Sequence, residues 1–197
     1  MQTTIIPVPT GVKGLIFDLD GTLLDSMPMH HDSYNYALEP WGVFYPLEEF
    51  YSRAGMPNKV TMSLIEKDYN IENFDLSTAL QRRRDFVDNN LDKIKIIEPV
   101  YDIMKEFHGK VPMAIGTGSS RKTVNELMSL FPVFEFSDVI VTATEVTNGK
   151  PHPETFLKCA EMIGVEPKDC VVYEDGIFGI ESAIAAGMEV VDVTKYL

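Results

Sequence analysis

The segment Gly14-Leu15-Ile16-Phe17-Asp18-Leu19-Asp20-Gly21-Thr22 constrains this chain more than any other. A short apolar run ends in two aspartates spaced i, i+2, and a Gly-Thr turn follows at once. Side chains alternate faces along a strand, so Asp18 and Asp20 leave its end on one side while Leu19 points to the other. Gly21 permits the sharp turn that has to follow. Two neighbouring carboxylates repel each other and favour a bound cation between them. In an open α/β sheet, the carboxyl ends of the strands are also where ligands bind.

The rest of the chain supplies such a sheet. From about residue 96, helical and strand patterns alternate: a helix over 98–108 ended by Gly109, a strand at 111–116, and a helix capped by Ser119 or Ser120. A strand at 138–142 follows, then a helix from Pro153 to Gly164, a strand at 170–175, a helix from Ile177 to Ala186 and a last strand at 188–193. Repeated strand–helix units predict a parallel sheet with helices on both faces, an α/β Rossmann-like fold. Residues 24–92 break the rhythm, with helical patterns near 28–38, 46–52, 58–68 and 75–91 and no convincing strand. They read as an all-helical cap inserted after the acidic turn, a lid over the strand ends, leaving 1–23 and 93–197 as the catalytic core.

Three further strand ends carry chemistry. Gly116-Thr117-Gly118-Ser119 opens a helix with small residues, exposed amides and hydroxyls, which suits an anion. Lys150 stands in Asn148-Gly149-Lys150-Pro151-His152-Pro153, ahead of the next helix, where its ammonium can be aimed at the strand ends. Phosphoryl transfer needs such a cation on the equatorial oxygens. Glu174-Asp175-Gly176 brings further carboxylates to the same edge, as oxygen ligands for a hard divalent cation. Together these groups contain every part of a phosphoryl-transfer site.

The whole-chain numbers fit that picture. A formal net charge of −13 over 197 residues argues against nucleic acid or an anionic membrane as partner. A local cation and a metal can still draw a phosphate to the site against that global field. Cys159 and Cys170 both fall in apolar contexts and read as reduced, buried thiols. Met1 to Pro9 carries no basic, apolar leader pattern, and no run approaches the length of a membrane span, so a cytoplasmic protein is expected. With no oligomeric signal, a monomer is the default.

Asp18-Leu19-Asp20-Gly21-Thr22 resembles the signature of the haloacid dehalogenase-like superfamily. Thr117, Lys150 and Glu174-Asp175 fall where its other three motifs belong, and the resemblance covers residues 14–193. Gly116-Thr117-Gly118-Ser119 and Val171-Val172-Tyr173-Glu174-Asp175-Gly176-Ile177-Phe178-Gly179-Ile180 are similar to the β-phosphoglucomutase-like branch, and within it to bacterial fructose-1-phosphate phosphatases. The resemblance implies that Asp18 attacks phosphorus to form an aspartyl-phosphate and that Asp20 serves as acid and then base. It implies Mg²⁺ held by Asp18, the Asp20 carbonyl and Asp175 with Glu174 in support, and a phosphoryl group held by Thr117, the Gly118 and Ser119 amides and Lys150. Haloacid dehalogenases themselves lack the second Asp, so Asp20 points to phosphate chemistry.

Substrate choice is expected from the cap, since the core handles only phosphate. By resemblance the candidates are His30, Arg53, Gly55 and Asn58, with His31 facing solvent and Arg121 able to reach substrate. Mutases of the branch place an Arg where this chain has Asn58, so a mono-phosphorylated substrate fits better than a bis-phosphorylated one. Lys59 sits one position from the Schiff-base Lys of the similar phosphonoacetaldehyde hydrolases. The expected activity is a Mg²⁺-dependent phosphatase on a small sugar phosphate such as fructose 1-phosphate. A sugar phosphomutase is the alternative, and a non-catalytic binding protein on the same fold the remote one.

Overall fold

A computed structural model describes residues 5–197; the first four residues of the stretch read for a leader lie outside it. In chain order its regular elements are β1 (Gly14–Phe17), β2 (Leu24–Asp25), α1 (Met27–Leu38), α2 (Leu47–Ser52), α3 (Asn58–Asp68) and α4 (Leu76–Asp88). They continue with β3 (Lys95–Ile96), α5 (Glu98–Phe107), β4 (Met113–Gly116), α6 (Arg121–Met128), β5 (Val139–Val141), α7 (Glu154–Ile163), β6 (Cys170–Glu174), α8 (Ile177–Ala185) and β7 (Glu189–Asp192).

Five strands form one parallel sheet in the order β5-β4-β1-β6-β7. The acidic strand β1 is therefore central, and all four of its residues are buried. Parallel strands covered on both faces read as unbroken apolar runs, as Leu15-Ile16-Phe17 does. The helices α5 to α8 connect strand to strand, giving the α/β Rossmann-like architecture expected from the alternating pattern. Ile16, Val141, Phe156, Cys159, Val172 and Ala183 share one buried cluster. The rings of Phe17 and Tyr173 stack at 5.0 Å across β1 and β6.

Helix ends follow local chemistry. The Ser120 hydroxyl caps α6 by accepting from the Thr123 amide at 3.2 Å. Gly164 ends α7 at φ +71°, a left-handed conformation that only glycine adopts without strain. Cys159 and Cys170 are free and buried, and burial pushes their thiols up to about 12 and about 11.

The chain divides into two compact units: residues up to Asp25 with Lys95–Leu197, and Ser26–Ile94. The smaller unit is helical and has its own core, in which Tyr34, Leu38, Tyr45, Phe50, Met62 and Ile65 are buried. Asp75 caps α4 by accepting from the Ser77 and Thr78 amides. A feature absent from the sequence reading is the pairing of β2 with β3, antiparallel, through Leu24↔Ile96 and Asp25↔Lys95. Two residues are too few to display an alternating period, which is why no strand was expected there. Among the described residues, no helix is long and apolar enough to cross a membrane.

Candidate active site

Sheet register assembles the site. Phe17 pairs with Tyr173, so Asp18 and Glu174 emerge side by side from the ends of β1 and β6. Phe17 also pairs with Ile115, which brings Thr117 past the end of β4 to the other flank of Asp18. Asp18 is 6% exposed and its amide donates to the Tyr173 carbonyl at 2.9 Å. Glu174 is 3% exposed. Lys150, on the long connection from β5 to α7, lies between the two carboxylates and donates to Asp18 Oδ1 at 2.6 Å and to Glu174 Oε2 at 2.7 Å. Its ammonium also stands 4.5 Å from the centre of the Phe156 ring, a cation–π contact in a desolvated setting.

Asp175 completes the acidic group. Its Oδ1 accepts from the Thr22 hydroxyl at 2.8 Å. Asp18, Glu174 and Asp175 offer carboxylate oxygens that all lie within 4.8 Å of one another. Three carboxylates against one ammonium leave this pocket negative, and the ions are largely out of water. Burial raises the Asp18 carboxyl well above its usual range, with repulsion from Glu174 adding to it. Burial and then Glu174 push Asp175 up to about 7. Burial works against the Lys150 ammonium, but Asp18 and Glu174 outweigh it and hold its pKa above the ordinary value. The all-oxygen donor set fits a hard divalent cation, whose charge would favour the ionised carboxylates.

Two glycines make room for these acids. Gly21 sits at φ +90°, and a Cβ there would overlap the Asp175 carboxylate. A Cβ at Gly179, in the first turn of α8, would overlap Glu174, whose Oε1 accepts from the Gly176 amide at 2.9 Å. The sequence reading singled out neither Thr22 nor Gly179 for a role. Both stand within the motifs it quoted, and the missed signal was the space an adjacent carboxylate requires.

The other side of the pocket is built of donors and hydroxyls. Thr117 is buried, and its Oγ1 accepts from the Ser119 amide at 3.0 Å. This N–H, expected from the sequence to hold phosphate, here donates to the Thr two residues ahead and closes a hydroxyl turn. The Ser119 hydroxyl donates to Asp20 Oδ2 at 2.6 Å and orients that half-buried carboxylate. Space beside Gly118 is open, since a Cβ there would meet no atom within 4 Å. Arg121, which the sequence allowed to reach substrate, is engaged within the protein. Its guanidinium is bound to Glu145 and to the Ile140 carbonyl.

The helical unit carries its own polar groups. His30 Nδ1 lies 3.3 Å from Arg83 Nη2, whose guanidinium also stands 4.6 Å above the Tyr34 ring. The Tyr34 hydroxyl donates to Asn58 Oδ1 at 3.0 Å. Gly55 adopts φ +87°, so the loop ahead of α3 needs glycine there. Arg53 is engaged within the unit, donating to Asp68 at 2.7 Å with Glu49 at 4.0 Å. His31 is half-buried rather than solvent-facing: its Nε2 meets the Tyr45 carbonyl at 2.8 Å and its ring packs 5.4 Å from Phe50. An aromatic core beside the helix surface drew that imidazole inward. Lys59 is exposed.

A family model described as haloacid dehalogenase-like hydrolase matches residues 12–187. The fructose-1-phosphate phosphatase YqaB of Escherichia coli K12 is 37% identical over 182 residues, covering 91% of this chain and 95% of that protein. A phosphorylated carbohydrates phosphatase of Thermotoga maritima is 28% identical, covering 90% of this chain and 83% of its own length. The crystal structure of a protein from Haemophilus somnus, described as a predicted phosphoglycolate phosphatase, superposes with a TM-score of 0.81. It covers 92% of this chain and 84% of that one at 22% identity, a likeness of fold.

Proposed function

Since this chain belongs to the haloacid dehalogenase-like hydrolase family, we propose that it is a phosphatase that removes a phosphoryl group from a small phosphorylated sugar, with Asp18 as the acceptor. The observation that carries the reading is the bridge of Lys150 between Asp18 and Glu174 beside Asp175. An ammonium 2.6 Å from the attacking carboxylate is placed to hold the equatorial oxygens of a phosphoryl group arriving there. Attack of a carboxylate oxygen on phosphorus would break the bond to the sugar oxygen and leave an aspartyl-phosphate on Asp18. Asp20, oriented by the Ser119 hydroxyl, would donate a proton to the departing sugar oxygen and then take one from the water that hydrolyses the intermediate. Thr117 and the Gly118 and Ser119 amides would hold the remaining phosphoryl oxygens.

Asp18, Glu174 and Asp175, with the Asp20 carbonyl, would hold Mg²⁺. The ion, when bound, supplies positive charge that offsets repulsion between carboxylates and phosphate. Thr22 keeps Asp175 turned into the group, and Gly179 lets Glu174 lie flat against α8.

Fructose 1-phosphate is the proposed substrate type, supported by the relative at 37% identity. His30, Gly55 and Asn58 of the helical unit are the proposed selectors of the sugar, Arg53 being taken up by Asp68. The enzyme is proposed to act as a monomer in the cytoplasm, with the helical unit as its cap.

The test is phosphate release from a panel of sugar monophosphates, with Mg²⁺ and with chelator. Metal-dependent release from one or two hexose phosphates is expected. Isomer interconversion that needs a bis-phosphate primer, with little free phosphate, would contradict the reading and assign a mutase. Phosphate analogues bound without any turnover would assign a binding protein.

A further inference from the structure

The groups proposed to hold phosphate come from two separate loops, and among the described residues an ion pair joins the two. Thr117 to Ser119 lie between β4 and α6, while Lys150 lies between β5 and α7. Arg121, the first residue of α6, donates to Glu145 twice, Nε to Oε1 at 3.0 Å and Nη2 to Oε2 at 2.9 Å. Such a paired geometry fixes orientation as well as distance. The same Nη2 donates to the Ile140 carbonyl at 2.7 Å. Glu145 Oε2 also accepts from the Thr142 amide at 2.7 Å and the Thr142 hydroxyl at 2.6 Å. Its carbonyl accepts from Lys158 Nζ at 2.7 Å, which anchors the loop to α7.

Backbone bonds run beside this strut. Thr117 N–H donates to the Val141 carbonyl at 2.9 Å, and Ala143 N–H to the Ser119 carbonyl at 3.0 Å. The Arg121 amide donates to the Thr144 hydroxyl at 3.1 Å. Thr117 and Ser119 of the first loop are therefore bonded to the strand and loop that lead to Glu145. The Arg121 and Glu145 side chains are 32% and 30% exposed, so the pair stands at the rim and not in free solvent. The Arg121 and Thr142 hydrogen bonds hold the Glu145 carboxyl down at about 2, so the pair is charged throughout the working range of pH.

We propose that Arg121 and Glu145 are positioning residues: their ion pair locks the loop bearing Lys150 to the loop bearing Thr117, so that ammonium and phosphate cradle converge on one phosphoryl group. An exposed ion pair ordinarily contributes little. This one differs because it is two-pronged, bonded to backbone on both sides, and spans the two loops whose separation sets the site. Misplacement by about an ångström can cost up to about a hundredfold in rate. The proposal rests on the phosphatase reading for its kinetic form, and on the phosphate site alone for its binding form.

The experiment compares wild type, Glu145→Gln, Arg121→Lys and the charge-swapped Arg121→Glu/Glu145→Arg, each with Mg²⁺ at pH 7. Turnover of p-nitrophenyl phosphate and of hexose monophosphates, melting temperature and calorimetric binding of inorganic phosphate are read for each. The expected result for Glu145→Gln is a fall in kcat of about tenfold or more, with inorganic phosphate bound more weakly and KM raised by at most a similar factor. The charge-swapped protein is expected to recover part of both losses. Unchanged kcat with a lowered melting temperature would reduce the pair to a stabilising contact and overturn the proposal. So would a defect in Arg121→Lys confined to the KM of sugar phosphates, which would make Arg121 a substrate contact. If wild type turns over no monophosphate, the phosphatase reading fails. Phosphate binding then decides the proposal: weakening in Glu145→Gln supports it, and equal binding, or no binding to wild type, overturns it.

Discussion

The sheet-bearing unit and the helical unit handle their charged groups in opposite ways. In the sheet unit, buried charges are gathered: Lys150 pairs directly with both Asp18 and Glu174 at the strand ends, with Asp175 beside them. In the helical unit, arginines are dispersed and engaged near the surface, Arg53 with Asp68 and Arg82 with Glu39 and the Tyr36 carbonyl. Burying like charges together is costly without a ligand, whereas surface pairs cost and contribute little. A cluster kept against that cost marks chemistry. The scattered pairs of the helical unit leave its surface easy to change, which suits the substrate-selecting role proposed for it.

The comparison breaks first at Asp18. Asp18→Asn is expected to lower turnover by about four orders of magnitude while the fold persists, since it removes the proposed nucleophile and one repelling charge. Circular dichroism beside a phosphate-release assay checks both halves. Retained turnover would move the nucleophile elsewhere.

Gly179→Ala should be the next largest effect. Its methyl would overlap Glu174, so either α8 shifts or the carboxylate leaves Lys150. Overpacking of this kind costs about 1–3 kcal/mol, readable in a urea titration, with activity falling alongside. A variant of wild-type stability and rate would show that Glu174 does not need its present place.

Metal should stabilise the sheet unit in a pH-dependent way. Asp175 is raised to about 7 in the metal-free protein, above its unfolded value. Its contribution to metal-free stability is therefore present at low pH and lost as pH rises through about 7. Metal binding needs the ionised form and strengthens over the same interval. The melting temperature without metal should fall between pH 6 and pH 8. A fixed Mg²⁺ concentration, a hundred times its Kd at pH 8, should restore about 2.7 kcal/mol there, a rise of several degrees, and less at pH 6. A Mg²⁺ effect larger at pH 6 would contradict the acidic cluster as the site.

The smallest effect belongs to the helical unit. Tyr34→Phe removes the bond to Asn58 and leaves the ring beneath Arg83. Turnover of p-nitrophenyl phosphate should stay within about twofold, while KM for the best hexose phosphate rises several-fold. Equal losses on both substrates would erase the division between chemistry and selection.

How much of this was legible in the sequence follows the same division. The central strand, the helix caps at Ser120 and Gly164 and the strand-end acids were readable because each depends on residues close in sequence. The pairing of Lys150 with Asp18 spans 132 positions, and only the order of motifs along strand ends foretold it. The Ser119 amide is legible as an anion donor from its place at a helix start, but its bond to the Thr117 hydroxyl two residues away is not. His31 and Arg53 depend on aromatic packing and on Asp68, which helical periodicity does not specify. The Arg121–Glu145 strut was invisible for the same reason, since its partners lie on different loops.

The most direct test of the account is acid-quenched mass spectrometry of the enzyme mixed with Mg²⁺ and its best sugar phosphate. A phosphoryl group on the peptide containing Asp18, absent from Asp18→Asn, is the predicted result. Turnover without a phosphoryl group on that peptide, or with one on another residue, would contradict the assignment of Asp18 as the group that attacks phosphorus.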